Sequence, residues 1–309
     1  MNPFLRPFTS AAVLVLSISS AFAEDAITLK QQWQAGKRYS QTMKMDQSSK
    51  MSFGDVPMDQ KMTMTAVTTM TVTRKPDKRK QLALKYESML IDTETGGQKM
   101  VIDSSKPAPG NPLGTMVGKE IRAILDENDK VVDFENLEEI TGGAAANPLT
   151  SGLMGKDSLS RLINQSGLQT LPGKPVKSGE SWPFEIEMPM PQIGKMAIKG
   201  TYTYKGTSPR NGVPCAEILM DATINADMSS PGAAGAKEAN PLAQMGMKIE
   251  GGTMKGTIWF DNALGTARAT EVAQEMTMVM NNPLKAGESI KIPVKQLIKV
   301  DLTKVEEVK

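Results

Sequence analysis

The stretch Met58 to Val72, MDQKMTMTAVTTMTV, decides the fold. Its even positions (Met58, Met62, Met64, Ala66, Met70, Val72) are mostly apolar and its odd positions mostly Lys or Thr. A period of two with one apolar face is the signature of a long β-strand lying half-buried on a core.

Outward from this strand the same pattern recurs. Upstream, ITLKQQW (from Ile27) alternates, Ala35-Gly36-Lys37 is a turn, and Tyr39, Gln41, Met43 and Met45 share one face of a strand. Downstream, RKPDKRK (Arg74 to Lys80) contains Pro76-Asp77 and predicts a solvated turn into a strand carrying Leu82, Leu84 and Tyr86 on one side. Two further strands, Gly118 to Leu125 and Lys130 to Phe134, join across Asp126-Glu127-Asn128-Asp129. That acidic run lacks the alternating ligands, central Gly and distal Glu of a calcium loop, and so reads as a turn.

The pattern then starts again. Gly179 to Trp182 matches Gly36 to Tyr39, Thr201 to Asp221 mirrors Thr69 to Asp92, and Met254 to Val272 mirrors Lys119 to Phe134. Asn-Pro-Leu begins at 111, 147, 240 and 282, in keeping with a duplication. The last segment, IKIPVKQLIKVDLTKV (Ile290 to Val305), predicts a terminal strand that begins on an edge, because Pro293 cannot donate to a ladder. Between the halves, Asp157 or Ser158 can cap a helix on which Leu159, Leu162 and Ile163 share a face.

The expected fold class is therefore all-β: two related antiparallel curved sheets, half-barrel or sandwich-like, with a short helical linker. The expected boundaries are a signal peptide at 1–23, a first β repeat at 24–146, a helix-containing linker at 147–175 and a second β repeat at 176–309. The leader reading rests on Arg6, the apolar run Ala11 to Ile18 and the small-x-small site Ala21-Phe22-Ala23, and predicts a periplasmic or extracellular protein. The mature chain would carry 35 basic and 34 acidic side chains, which gives no global field for nucleic acid or an anionic membrane. Long alternating strands also allow a transmembrane barrel, but aromatic residues are 5% of the chain and scattered, with no girdles. The lone Cys215 permits no internal disulfide; at a strand entry on the face of Glu217 and Asp221, it reads as a passive, partly exposed side chain.

Chemistry is scarce. The chain has no histidine, which removes the commonest general base and the usual zinc ligand. There is no nucleophile elbow, phosphate loop or dinucleotide fingerprint, so a non-enzymatic protein without a cofactor is expected. Methionine is the oddity, with 23 in all and Met-x-Met pairs at 43/45, 62/64, 188/190, 245/247 and 276/278/280. Each pair projects to one strand face. Unbranched thioethers suit an adaptable apolar wall, which makes Met62, Met64, Met70, Trp182 and Tyr202 candidate contacts for a lipid-like ligand. Thioethers also suit Cu(I), for which Met43, Met45, Met62, Met64, Met276, Met278 and Met280 are the candidate set. A structural or protein-interaction role in the envelope is the third reading.

The two Gly-x-x-Tyr/Trp openings, the segment Asn111-Pro-Leu-Gly-Thr-Met-Val-Gly118-Lys and the segment Leu171-Pro-Gly-Lys-Pro-Val-Lys-Ser-Gly179-Glu-Ser-Trp182 together resemble a widespread group of exported bacterial proteins known only as a domain of unknown function. This chain departs from it in methionine content and in the insertion Ser229 to Asn240. The resemblance implies export and a β-rich repeat, and brings no activity or binding residues with it.

Overall fold

The structure, a computed structural model, describes residues 26–53, 56–106, 117–137, 156, 160, 171–190, 194–227, 248–282, 285 and 287–308. The described elements are all strands: β1 (Ile27–Thr28), β2 (Lys37–Phe53), β3 (Val56–Arg74), β4 (Lys80–Thr95), β5 (Gln98–Asp103), β6 (Glu120–Leu125), β7 (Val131–Phe134), β8 (Pro175–Val176), β9 (Ser181–Met190), β10 (Gly194–Arg210), β11 (Val213–Asp227), β12 (Lys248–Asp261), β13 (Thr266–Asn281) and β14 (Ser289–Glu307). The helix expected near Asp157, most of the linker and the insertion Ser229 to Asn240 lie outside the described residues.

Twelve strands form one open antiparallel sheet in the order β7-β6-β4-β3-β2-β14-β13-β12-β11-β10-β9, with β5 also on β4. β1 and β8 make a separate two-stranded piece. The expected two sheets are thus a single one. The cause is the last strand: β14 lies antiparallel on β2 over nearly its whole length, Val300 opposite Met43 and Ile298 opposite Met45, and so joins the halves by a continuous ladder. Leaving β2 and β14 as two edges would have exposed long rows of unpaired backbone groups. Pro293 has Thr277 of β13 opposite it but lies just outside the β2 pairing, which begins at Val294 opposite Ser49.

Alternation and register give the sheet two unlike faces. One row runs from Met64 through Met45, Ile298, Val272, Gly256 and Met220 to Tyr202 and Trp182, and all of these face inward. From the row of Tyr39 to the row of Met51, no described position on this inner face carries an Asp, Glu, Lys or Arg. The outer face carries cross-strand ion pairs, among them Lys199 with Glu185 (2.7 Å), Lys295 with Glu275 (2.8 Å) and Lys299 with Glu271 (3.3 Å). Exposed pairs of this kind add little stability; what they fix is register and which face meets water.

The sheet curls inward. Leu264, in the β12–β13 turn, packs in one cluster with Leu125 and Val131 of the β6–β7 hairpin, although those elements are far apart in strand order. Inward-facing glycines permit the curl. A Cβ on Gly256 would stand 2.6 Å from Glu271 O, and one on Gly200 2.3 Å from Asp221 O, so these strands approach more closely than any side chain allows.

Candidate functional site

Residues 27–36 cross one end of the curled sheet as a strap. Gln32 N–H donates to Gly265 O (2.8 Å), and Gln34 Nε2 donates to Ala263 O (2.9 Å) and Leu264 O (3.3 Å), which ties the strap to the β12–β13 turn. On the other side Trp33 N–H donates to Asp129 Oδ2 (3.3 Å) in the β6–β7 turn. Asp129 is only 6% exposed and pairs with Lys80 at 2.7 Å. The acidic run therefore is a turn, as its residues suggested, and it also holds the strap. The β12–β13 turn is shaped for its part: Asp261 Oδ1 accepts the N–H groups of Ala263 and Leu264 (both 3.0 Å), while Gly265 has φ +74° and no room for a Cβ, which would meet Gln32 at 2.7 Å. Trp33 stands edge-on to Tyr39 (5.3 Å, 83°), and Tyr39 Oη accepts Gln34 N–H (3.2 Å). Burial pushes the Tyr39 phenol above its ordinary value, with Asp129 and Glu307 adding to the rise against the Gln34 hydrogen bond. Burial does the same to Tyr86.

Beside the strap lies a cavity of about 340 Å³, within the usual range of ligand pockets. Its walls come from both arms of the sheet, with Met70 and Leu84 on one side, Ile258 and Val300 on the other, and Gln31 and Trp33 of the strap. Among the described residues, no lining residue is charged. Farther from the strap the inner face continues through Met43, Met45, Met62 and Met64, all only half-buried.

Of the sequence-predicted contacts, Met70 lines this cavity, and Met62 and Met64 continue its face. Trp182 and Tyr202 share the inner face but sit near the β9 edge in a packed aromatic group with Phe184, which stacks on Tyr202 at 4.2 Å. The thioether set is spread over two clusters. Met43 and Met64 pack around Ala66 and Met89, whereas Met276, Met278 and Met280 pack with Met51 against Ile290, Ile292 and Val294. Two of the sulfurs accept amide hydrogens, Met45 from Gln296 and Met276 from Gln274.

Cys215 is 1% exposed, which corrects the partly exposed thiol expected from its face. Its Sγ donates to Val213 O (3.5 Å), and burial, helped by Asp261, pushes the thiol up against the opposing pull of Arg268 and Arg210. The same end of the sheet is built over with charge: Arg210 lies 4.4 Å from the Trp259 ring centroid and pairs with Asp301 at 3.1 Å. The sequence reading also passed over the strap's role and the inward glutamines Gln47, Gln274 and Gln296. Their signal was present, since each occupies the apolar phase of its strand.

Fold and site together define a class: an open, all-antiparallel β-sheet curled around an uncharged inner face, closed at one end by its own N-terminal strap. The chain belongs to a family of unknown function (DUF6263), whose model matches residues 77–267. No curated protein matches. Among solved structures, one reported for lipid–protein interactions in lipovitellin is similar, with a TM-score of 0.50 and 11% identity over 90% of this chain. This chain spans only 26% of the lipovitellin chain, and the likeness is one of fold. DynF from the dynemicin pathway of Micromonospora chersina (8% identity, TM-score 0.24, 99% of this chain and 94% of that one) and OccK5 of Pseudomonas aeruginosa (6%, 0.24, 88% and 98%) are too distant to argue from. No helix among the described residues is long and apolar enough to cross a membrane.

Proposed function

We propose that this chain is an exported, non-enzymatic protein of the bacterial envelope that carries a hydrophobic, lipid-like ligand against the inner face of its sheet. The observation that carries this reading is the face itself: free of charge from the Tyr39 row to the Met51 row, partly open to water, and continuous with the cavity beside the strap. A charge-free face whose methionines Met43, Met45, Met62 and Met64 are only half-buried is suited to docking an apolar molecule. The likeness of fold to lipovitellin, a structure reported for lipid–protein interactions, is in keeping with this reading. The leader-like residues 1–23 and the two matched halves fit export and an internal repeat.

The test is fluorescence enhancement of N-phenyl-1-naphthylamine. The wild-type chain should bind the probe, Met64→Glu should weaken binding at least about tenfold by placing a charge on the inner face, and Lys61→Glu on the exposed outer face should leave it unchanged. Equal binding by both variants would contradict the reading. The β5 strand favours a second one, an interaction module: its Met100 and Val101 are exposed (56% and 52%) on a short strand, and concentration-dependent self-association lost on Val101→Lys would support it.

A further inference from the structure

The inward glutamines narrow the ligand's chemistry, and the argument rests on the carrier reading. Gln47 of β2, Gln296 of β14 and Gln274 of β13 stand directly opposite one another, so three amides form a ladder across the seam between the halves. Opposed side chains in such a ladder have Cβ atoms about 4.5–5.5 Å apart. Gln274 is 7% exposed. Its Nε2 donates to Met276 Sδ (3.9 Å), and Gln296 Nε2 donates to Met45 Sδ. A thioether is a weak acceptor, so these bonds offset little of the cost of burying an amide.

Two further polar atoms of the same concave side are buried with no partner among the described residues: Trp182 Nε1, a donor on a side chain 7% exposed, and Gln31 Oε1, an acceptor in the cavity wall. All of these groups are neutral. An anion or cation drawn onto the face would lose its hydration and find no opposite charge. A hydroxyl, ester or amide would instead exchange water for the glutamine amides at little loss.

We infer that the ladder selects a ligand with an apolar tail and an uncharged hydrogen-bonding polar group, of the class of fatty esters, amides and alcohols. The tail lies toward the strap and the polar group on Gln47, Gln274 and Gln296. Val300 at the cavity and Gln296 are four residues apart on β14, about 13 Å at about 3.3 Å per residue, which sets the reach between tail pocket and polar group.

The experiment displaces bound N-phenyl-1-naphthylamine from the full chain with three ligands of matched tail: 1-monolauroylglycerol (neutral), laurate (anionic) and dodecyltrimethylammonium (cationic). The neutral ester should displace the probe at a concentration at least about tenfold lower than either ion. Gln274→Leu/Gln296→Leu should shrink that preference to about threefold or less while still binding the probe. Ions displacing it as well as the ester would overturn the inference and leave the carrier reading standing. A wild-type chain that binds neither the probe nor any of the three would overturn both. The selectivity of the wild-type chain stands as a test even if the double variant does not fold.

Discussion

At the residue scale, Asp129 holds more together than its turn position suggests. Its buried carboxylate pairs with Lys80, itself mostly buried, and accepts the strap's Trp33 N–H. Asp129→Ala leaves a cation and an N–H without partners, and should cost about 3 kcal/mol, the low end for breaking a buried pair. Asn in its place still accepts a hydrogen bond and tolerates the positive φ of 61°, so Asp129→Asn should cost less; urea denaturation of both variants checks the order. Tyr39 supplies a pH dependence. Its phenol is held neutral by burial above its ordinary value, so its contribution to stability is complete below pH about 10, where the unfolded phenol titrates, and is lost as pH rises through the higher folded value. Alkaline denaturation should therefore be shallower for Tyr39→Phe than for wild type above pH about 10. Residue types in phase were legible: Ala66, Met70 and Val72 are buried as the alternation required. Cys215 was not, because a strand's polar face becomes interior wherever side chains build over it, as Arg210 and Trp259 do at that end, and sequence phase does not record such cover.

At the element scale, the strands and turns were legible because both signals are local. Alternation marked β2, β3 and β14, and Pro76-Asp77 marked the β3–β4 turn. What alternation cannot carry is which strand lies beside which. The β2–β14 ladder joins residues some 250 apart in sequence, such as Met45 and Ile298, and nothing local in either strand names the other. That ladder is central, so it should not tolerate interruption. Ile298→Pro puts a residue without an N–H between two paired neighbours, β2 and β13, and should lower the melting temperature markedly. Pro at Lys291, beyond the end of the β2 pairing and near the natural Pro293, should cost distinctly less. Thermal unfolding of the two variants gives the comparison.

At the scale of the whole molecule, the halves that read as two units share one sheet, and the strap from the first half is tied to a turn of the second through Gln32 and Gly265. The candidate site follows from that union. Its cavity takes walls from β3 and β4 on one arm and from β12, β13 and β14 on the other, so no single half contains it. This is why the sequence could point to Met62, Met64 and Met70 as a face but not to the cavity that Met70 helps to close, nor to the amide row between the halves. On the carrier reading, the uncharged inner face holds a lipid-like molecule. Native mass spectrometry of the chain purified from its own cells, repeated after solvent extraction and then after incubation with monolauroylglycerol, tests it most directly. One adduct of lipid mass per chain is expected, removed by solvent and restored by the ester. A bare chain mass in all three measurements would contradict it.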